Sequence, residues 1–140
     1  MRKHYQKIFA FFFAISSLVL ILTGCSKKEN SSNKNSIVTS TNVYADIAQN
    51  VLGKYGKATA IITNSATDPH DFEPTTADAK KVQNAKIVVA NGLGYDSWLP
   101  KLAKSTNKSA VLVGEDLMNL KNGANPHIWF DLNMPKKYVN

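Results

Sequence analysis

The sequence predicts an α/β fold, a four-stranded parallel sheet with flanking helices. Two observations predict it. Short β-branched or apolar runs alternate with segments of helical periodicity, the order that builds a parallel sheet. The runs are also nearly continuous in apolar residues, as strands covered on both faces are.

The elements follow in order. Ile37-Val38-Thr39-Ser40-Thr41 is short and β-branched, hence a strand, and Asn42 can cap the helix after it. Tyr44, Ile47, Ala48 and Val51 recur at i, i+3, i+4 and i+7, one face of that helix, and Gly53 suits its C-terminal stop. Ala58 to Ile62 is a second strand. Thr75-Thr76-Ala77-Asp78 opens a helix with Ala79, Val82 and Ala85 as inward positions. Ile87 to Ala90 is a third strand. Asp96 or Ser97 opens the next helix, Pro100 is tolerable in its first turn, and Leu99, Leu102 and Ala103 form its apolar stripe. Ala110 to Val113 is the fourth strand.

A length of 140 residues allows one domain or part of a larger one. The net charge of +7 needs dividing along the chain. Arg2, Lys3 and Lys7 lie at the extreme N-terminus, and Lys27, Lys28 and Lys34, with Glu29, lie just after an apolar run. Residues 37–140 keep a net charge of only +2, which is an ordinary surface rather than the basic stripe of a nucleic-acid binder. A single Cys excludes an internal disulfide and a Cys-rich zinc site.

That Cys ends an export signal. Met1 to Lys7 is a positive segment, and Ile8 to Leu22 is uncharged. Fifteen residues of helix rise about 22 Å, short of the ~30 Å hydrocarbon core, so the run reads as a signal peptide over residues 1–24; a short membrane anchor is the alternative. Leu22-Thr23-Gly24-Cys25 resembles the bacterial lipobox, which implies cleavage before Cys25 and a lipid thioether on its sulfur. Residues 25–36 are polar, a flexible tether that would hang a folded domain at the outer face of the cytoplasmic membrane.

Three connections lie beyond the carboxyl ends of the strands, the edge at which open α/β sheets bind ligands. They are Thr63 to Pro74, Asn91 to Tyr95, and the segment from Gly114 to Asp131. The first carries His70 and the last His127, each preceded by a Pro that stiffens its loop. Imidazole suits zinc and other first-row metals, and Asp71, Glu73 or Asp131 could accept the second ring N–H. On spacing alone two readings stay open, a metal site and ordinary loop or core histidines. Two His do not complete a closed zinc site, which takes about four ligands.

Asp68-Pro69-His70-Asp71-Phe72-Glu73-Pro74-Thr75 and Asn125-Pro126-His127-Ile128-Trp129-Phe130-Asp131 together resemble the metal-binding lipoproteins of ABC importers. This is the zinc/manganese solute-binding group, also called adhesin-like lipoproteins. Asn91-Gly92-Leu93-Gly94-Tyr95 resembles the loop before the third helix of the same family. The family usually has Asp-Pro after the aromatic pair, where this chain has Asp131-Leu132.

The resemblance implies a two-lobed protein with the metal between its lobes. Residues 37–132 correspond to the N-terminal lobe, with His70 and His127 as metal ligands, and residues 133–140 to the start of the linking helix. The remaining ligands would belong to a C-terminal lobe absent from this sequence. The implied function is capture of Zn2+ or Mn2+ for an ABC permease and its ATPase, without catalysis. Affinity of N/O ligands favours zinc slightly. The His- and acid-rich stretch common in zinc members is absent from Met118 to Asn125. Two other functions are open: a surface adhesion lipoprotein using Tyr95, Trp98 or Trp129, and a metallohydrolase fragment with Glu73 as general base. No phosphate loop occurs, and Gly92-Leu93-Gly94 is too short for a dinucleotide fingerprint.

Overall fold

The computed structural model describes residues 35–121 and 123–140. The export signal, Cys25 and nearly all of the tether lie outside the described residues. Among those described, no helix is long and apolar enough to cross a membrane.

The elements are β1 (Ser36–Thr41), α1 (Asn42–Leu52), β2 (Lys57–Ile62), α2 (Thr76–Asn84), β3 (Ile87–Ala90), α3 (Trp98–Ser105), β4 (Ala110–Leu112) and α4 (Met134–Val139). The strands form one parallel sheet in the order β2-β1-β3-β4. Val38 of β1 pairs in register with Thr59 on one side and Val88 on the other. The chain therefore leaves β1 toward one side of the sheet and β3 toward the other. The carboxyl ends of these two neighbours form the switch point where such sheets bind ligands.

Side-chain alternation sorts the core into two layers. Val38, Val88 and Ala90 pack with Ile61, Val82, Leu99 and Ala103, under α2 and α3. Val89 packs on the opposite face with Tyr44, Leu93, Val113, Ile128 and Met134, under α1 and α4. A strand buried on both faces has no polar side, which is why β3 reads as an unbroken apolar run.

Helix α2 begins as its sequence suggests. The Thr75 hydroxyl accepts from the Asp78 N–H, and the Asp78 carboxylate accepts from the Thr75 N–H at 3.0 Å, a reciprocal capping box. Elsewhere the start and edge positions differ. Thr41, not Asn42, occupies the N-cap of α1, and the Asn42 amide donates instead to the Thr63 carbonyl at 3.0 Å. This tether ties the end of β1 to the loop after β2. Tyr44 and Ala48 are buried as expected, whereas Val51 is 63% exposed. Asp96 does not cap α3 with its side chain. Its carboxylate turns back to the Asn91 and Gly92 N–H groups, at 2.6 and 3.0 Å. Val113 leaves β4 to open a π-helical turn through Leu117.

Candidate functional site

His70 and His127 each sit two residues after an Asx and one after a Pro, and the same local geometry forms twice. The Asp68 carboxylate accepts from the His70 N–H at 2.9 Å, and the Asn125 side-chain oxygen accepts from the His127 N–H at 2.9 Å. These are Asx turns, in which a short side chain closes on the backbone two residues ahead. With Pro fixing φ in between, each loop presents its histidine from a stiff corner.

The segment after β3 holds both corners. The Trp98 indole N–H donates to the Pro69 carbonyl at 3.0 Å, and the Asn91 side-chain amide donates to the Pro126 carbonyl at 3.0 Å. Between the corners lies Tyr95. Its ring centroid is 4.8 Å from that of His70 and 6.0 Å from that of His127, in edge contact with both. The two imidazole centroids thus lie no farther apart than those distances combined, although 57 positions separate them in sequence. Trp129 completes the cluster, 5.0 Å from Tyr95 and 5.2 Å from His127. Both histidines are exposed.

The tautomer of His127 follows from its partners. The Asn125 oxygen must be an acceptor, because the backbone N–H bonded to it can only donate. The same oxygen lies 2.7 Å from His127 Nδ1, so Nδ1 is the donor, and the neutral ring has its lone pair on Nε2. That leaves a nitrogen donor at the ring's outer end.

The Asn91–Asp96 turn is shaped by carboxylates. Asp96 accepts the first two N–H groups and Glu115 accepts the third, from Leu93, at 2.8 Å. Burial pushes the Asp96 carboxyl up from its ordinary value, opposed by the Asn91 and Gly92 N–H groups bonded to it. Burial also raises the Tyr95 hydroxyl, helped by the charges of Asp68 and Asp96.

A cleft of about 340 Å³ adjoins the aromatic cluster. It runs from Thr41 and Asn42 at the end of β1, past Asn64 and Pro69, to Tyr95 and Trp129. This is the switch point located above.

The structure thus brings His70 and His127 to one rim. It does not give Asp131 the role expected for it. The His127 nitrogen meets Asn125, and Asp131 instead accepts from the Asn133 N–H at 2.9 Å, ahead of α4. Asp71 and Glu73 are exposed and bond to neither imidazole among the described residues. Trp98, considered above for a partner surface, is 9% exposed and packs against Phe72 at 4.7 Å. Among the described residues no group of three or more His, Cys, Asp or Glu could hold a metal ion, so the two imidazoles stand as a pair. Asn91 and Asn125 were not singled out from the sequence. The Asx-Pro-His triplet, present twice, was the available signal for Asn125.

Known proteins match both sequence and fold. The chain is 30% identical over 143 residues to the manganese-binding lipoprotein MntA of Halalkalibacterium halodurans, covering 96% of this chain and 47% of that protein. It is 33% identical over 145 residues to the metal ABC transporter substrate-binding lipoprotein FimA of Streptococcus parasanguinis, covering 91% and 46%. The chain spans about half the length of the curated relatives it matches. Its fold superposes on the metal-dependent lipoprotein YcdH from Bacillus subtilis with a TM-score of 0.63 and 26% identity, covering 76% of this chain and 41% of that one. Residues 37–140 match the family model described as zinc-uptake complex component A, periplasmic, and the chain belongs to that family of metal ABC transporter substrate-binding lipoproteins.

Proposed function

We propose that this chain captures a divalent transition-metal cation, Zn2+ or Mn2+, through His70 and His127 and serves an ABC permease and its ATPase from outside the cytoplasmic membrane. The observation that carries this reading is the meeting of two exposed imidazoles on one tyrosine ring at the switch point. Nitrogen donors of this kind suit zinc and manganese, with zinc slightly ahead on intrinsic affinity. The relatives named above are described as manganese-binding and metal-transporting, which supports the class of cargo and leaves both metals in play. Asp68 and Asn125 act on backbone and tautomer rather than on the ion. A lipid on Cys25 would keep the protein beside its permease.

Capture needs no activated water, so the role is binding rather than catalysis. The test is isothermal titration with zinc and with manganese. His70→Ala and His127→Ala should each abolish or severely weaken the heat of binding, with the fold intact by circular dichroism. Undiminished binding by the double variant would overturn the reading.

A further inference from the structure

We propose that Asn91 is the positioning residue for His127. It rests on the reading of His127 as a metal ligand but concerns a residue that touches no metal.

Asn91 is fully buried at the end of β3. Each of its polar atoms has a partner. The side-chain oxygen accepts from the Tyr44 hydroxyl at 2.6 Å, and the side-chain nitrogen donates to the carbonyls of Gly92 and Pro126, each at 3.0 Å. The backbone N–H donates to Asp96, and the backbone carbonyl accepts from the Gly114 N–H at 3.0 Å. A side chain bonded in this way has no freedom to turn.

Pro126 is the residue immediately before His127, and 35 positions separate it from Asn91. The bond therefore joins the His127 corner to the end of a central strand. The neighbouring bonds of that corner are local: the Asn125 side chain to the His127 N–H, and the Ile128 N–H to the Pro126 carbonyl at 2.8 Å. Local bonds fix the shape of the corner, and the Asn91 bond fixes where that shape stands on the sheet. Burial of Ile128 is the competing anchor. It grips the chain one residue past His127, and the Ile128 N–H meets the same Pro126 carbonyl only from within the corner, whereas Asn91 reaches that carbonyl from the sheet.

The test uses the whole chain and compares Asn91→Ala with Tyr138→Phe. The latter removes one hydrogen bond in the same core, from the Tyr138 hydroxyl to the Tyr44 carbonyl, and leaves the Pro126 tie in place. Without metal, proton NMR should show ring contacts of His127 with Tyr95 and Trp129 in the parent and in Tyr138→Phe. In Asn91→Ala these contacts should be lost while His70 keeps its contact with Tyr95. Zinc titration should show a loss of about tenfold or more in affinity for Asn91→Ala only. Unchanged His127 contacts in Asn91→Ala would overturn the proposal. If the parent binds no zinc, the reading of the metal site fails, and the ring contacts still decide the role of Asn91. Should Asn91→Ala not fold, the parent supplies the measurement. Both side-chain amide protons of Asn91 should exchange slowly with solvent, and exchange at the rate of a free amide would equally overturn it.

Discussion

The indole N–H of Trp98 donates to the carbonyl of Pro69 at 3.0 Å, so a buried ring of α3 fixes the backbone one residue before His70. Trp98→Phe keeps most of the packing against Phe72 and removes this bond. The expected cost is about 1 kcal/mol. Trp98→Ala also opens a cavity and should cost ~3–5 kcal/mol. Urea midpoints of the two variants check the ordering.

Removing either histidine should leave the fold alone. Both side chains are exposed, and substitutions at such positions change stability by within about 0.5 kcal/mol. His70→Ala and His127→Ala should therefore melt with the parent in chelator. Added zinc should raise the melting temperature of the parent and not of the variants.

Gly92 and Gly94 both have positive φ, +80° and +82°, but their surroundings differ. A Cβ at Gly92 would run into the Glu115 carboxylate, whereas one at Gly94 would meet nothing within 4 Å. Gly94→Ala carries only the left-handed backbone cost of ~1–2 kcal/mol. Gly92→Ala adds displacement of Glu115 from the Leu93 N–H and should be the more destabilising by about 1 kcal/mol or more. Thermal melts of the two variants side by side decide it.

The two buried aspartates should respond to pH in opposite directions. Burial acts to raise the Asp78 carboxyl, but hydrogen bonds from Lys81 and Thr75 outweigh it and hold the group below its ordinary value. Its contribution is present above the unfolded pKa and lost as pH falls through the folded one. Asp96 is raised, so its contribution is present below the unfolded pKa and lost as pH rises through the folded one. Asp78→Ala should cost about 1 kcal/mol at neutral pH and flatten the acid limb of stability below about pH 4. Denaturant midpoints across that range measure both effects.

Two imidazoles make an incomplete shell for a metal that takes about four ligands. Isothermal titration of residues 26–140 should show much weaker zinc binding than a longer relative. Equal affinity would mean that further ligands are supplied, as by a dimer, and sedimentation with and without zinc would reveal it.

The parallel sheet was legible because β3 packs into both core layers and so reads as a short apolar run, set between segments of helical periodicity. The Thr75 cap was legible because both partners lie within four residues. The meeting of His70 and His127 could be expected from strand order and the shared edge. The groups that hold them could not. Asn91 reaches Pro126 across 35 residues and Trp98 reaches Pro69 across 29, and nothing local marks a side chain for such a task. Asp131, one of the three carboxylates able to accept a ring N–H, closes instead on the backbone two residues ahead.

The contact of Trp129 with Tyr95 and His127 carries an optical consequence. The other tryptophan, Trp98, is secluded in the interior. A cation settling on the outer nitrogen of His127 would alter the field around one indole and spare the other. Intrinsic fluorescence of the unlabelled protein therefore contains a gauge of cargo arrival, with Trp98 as the more sheltered of its two emitters.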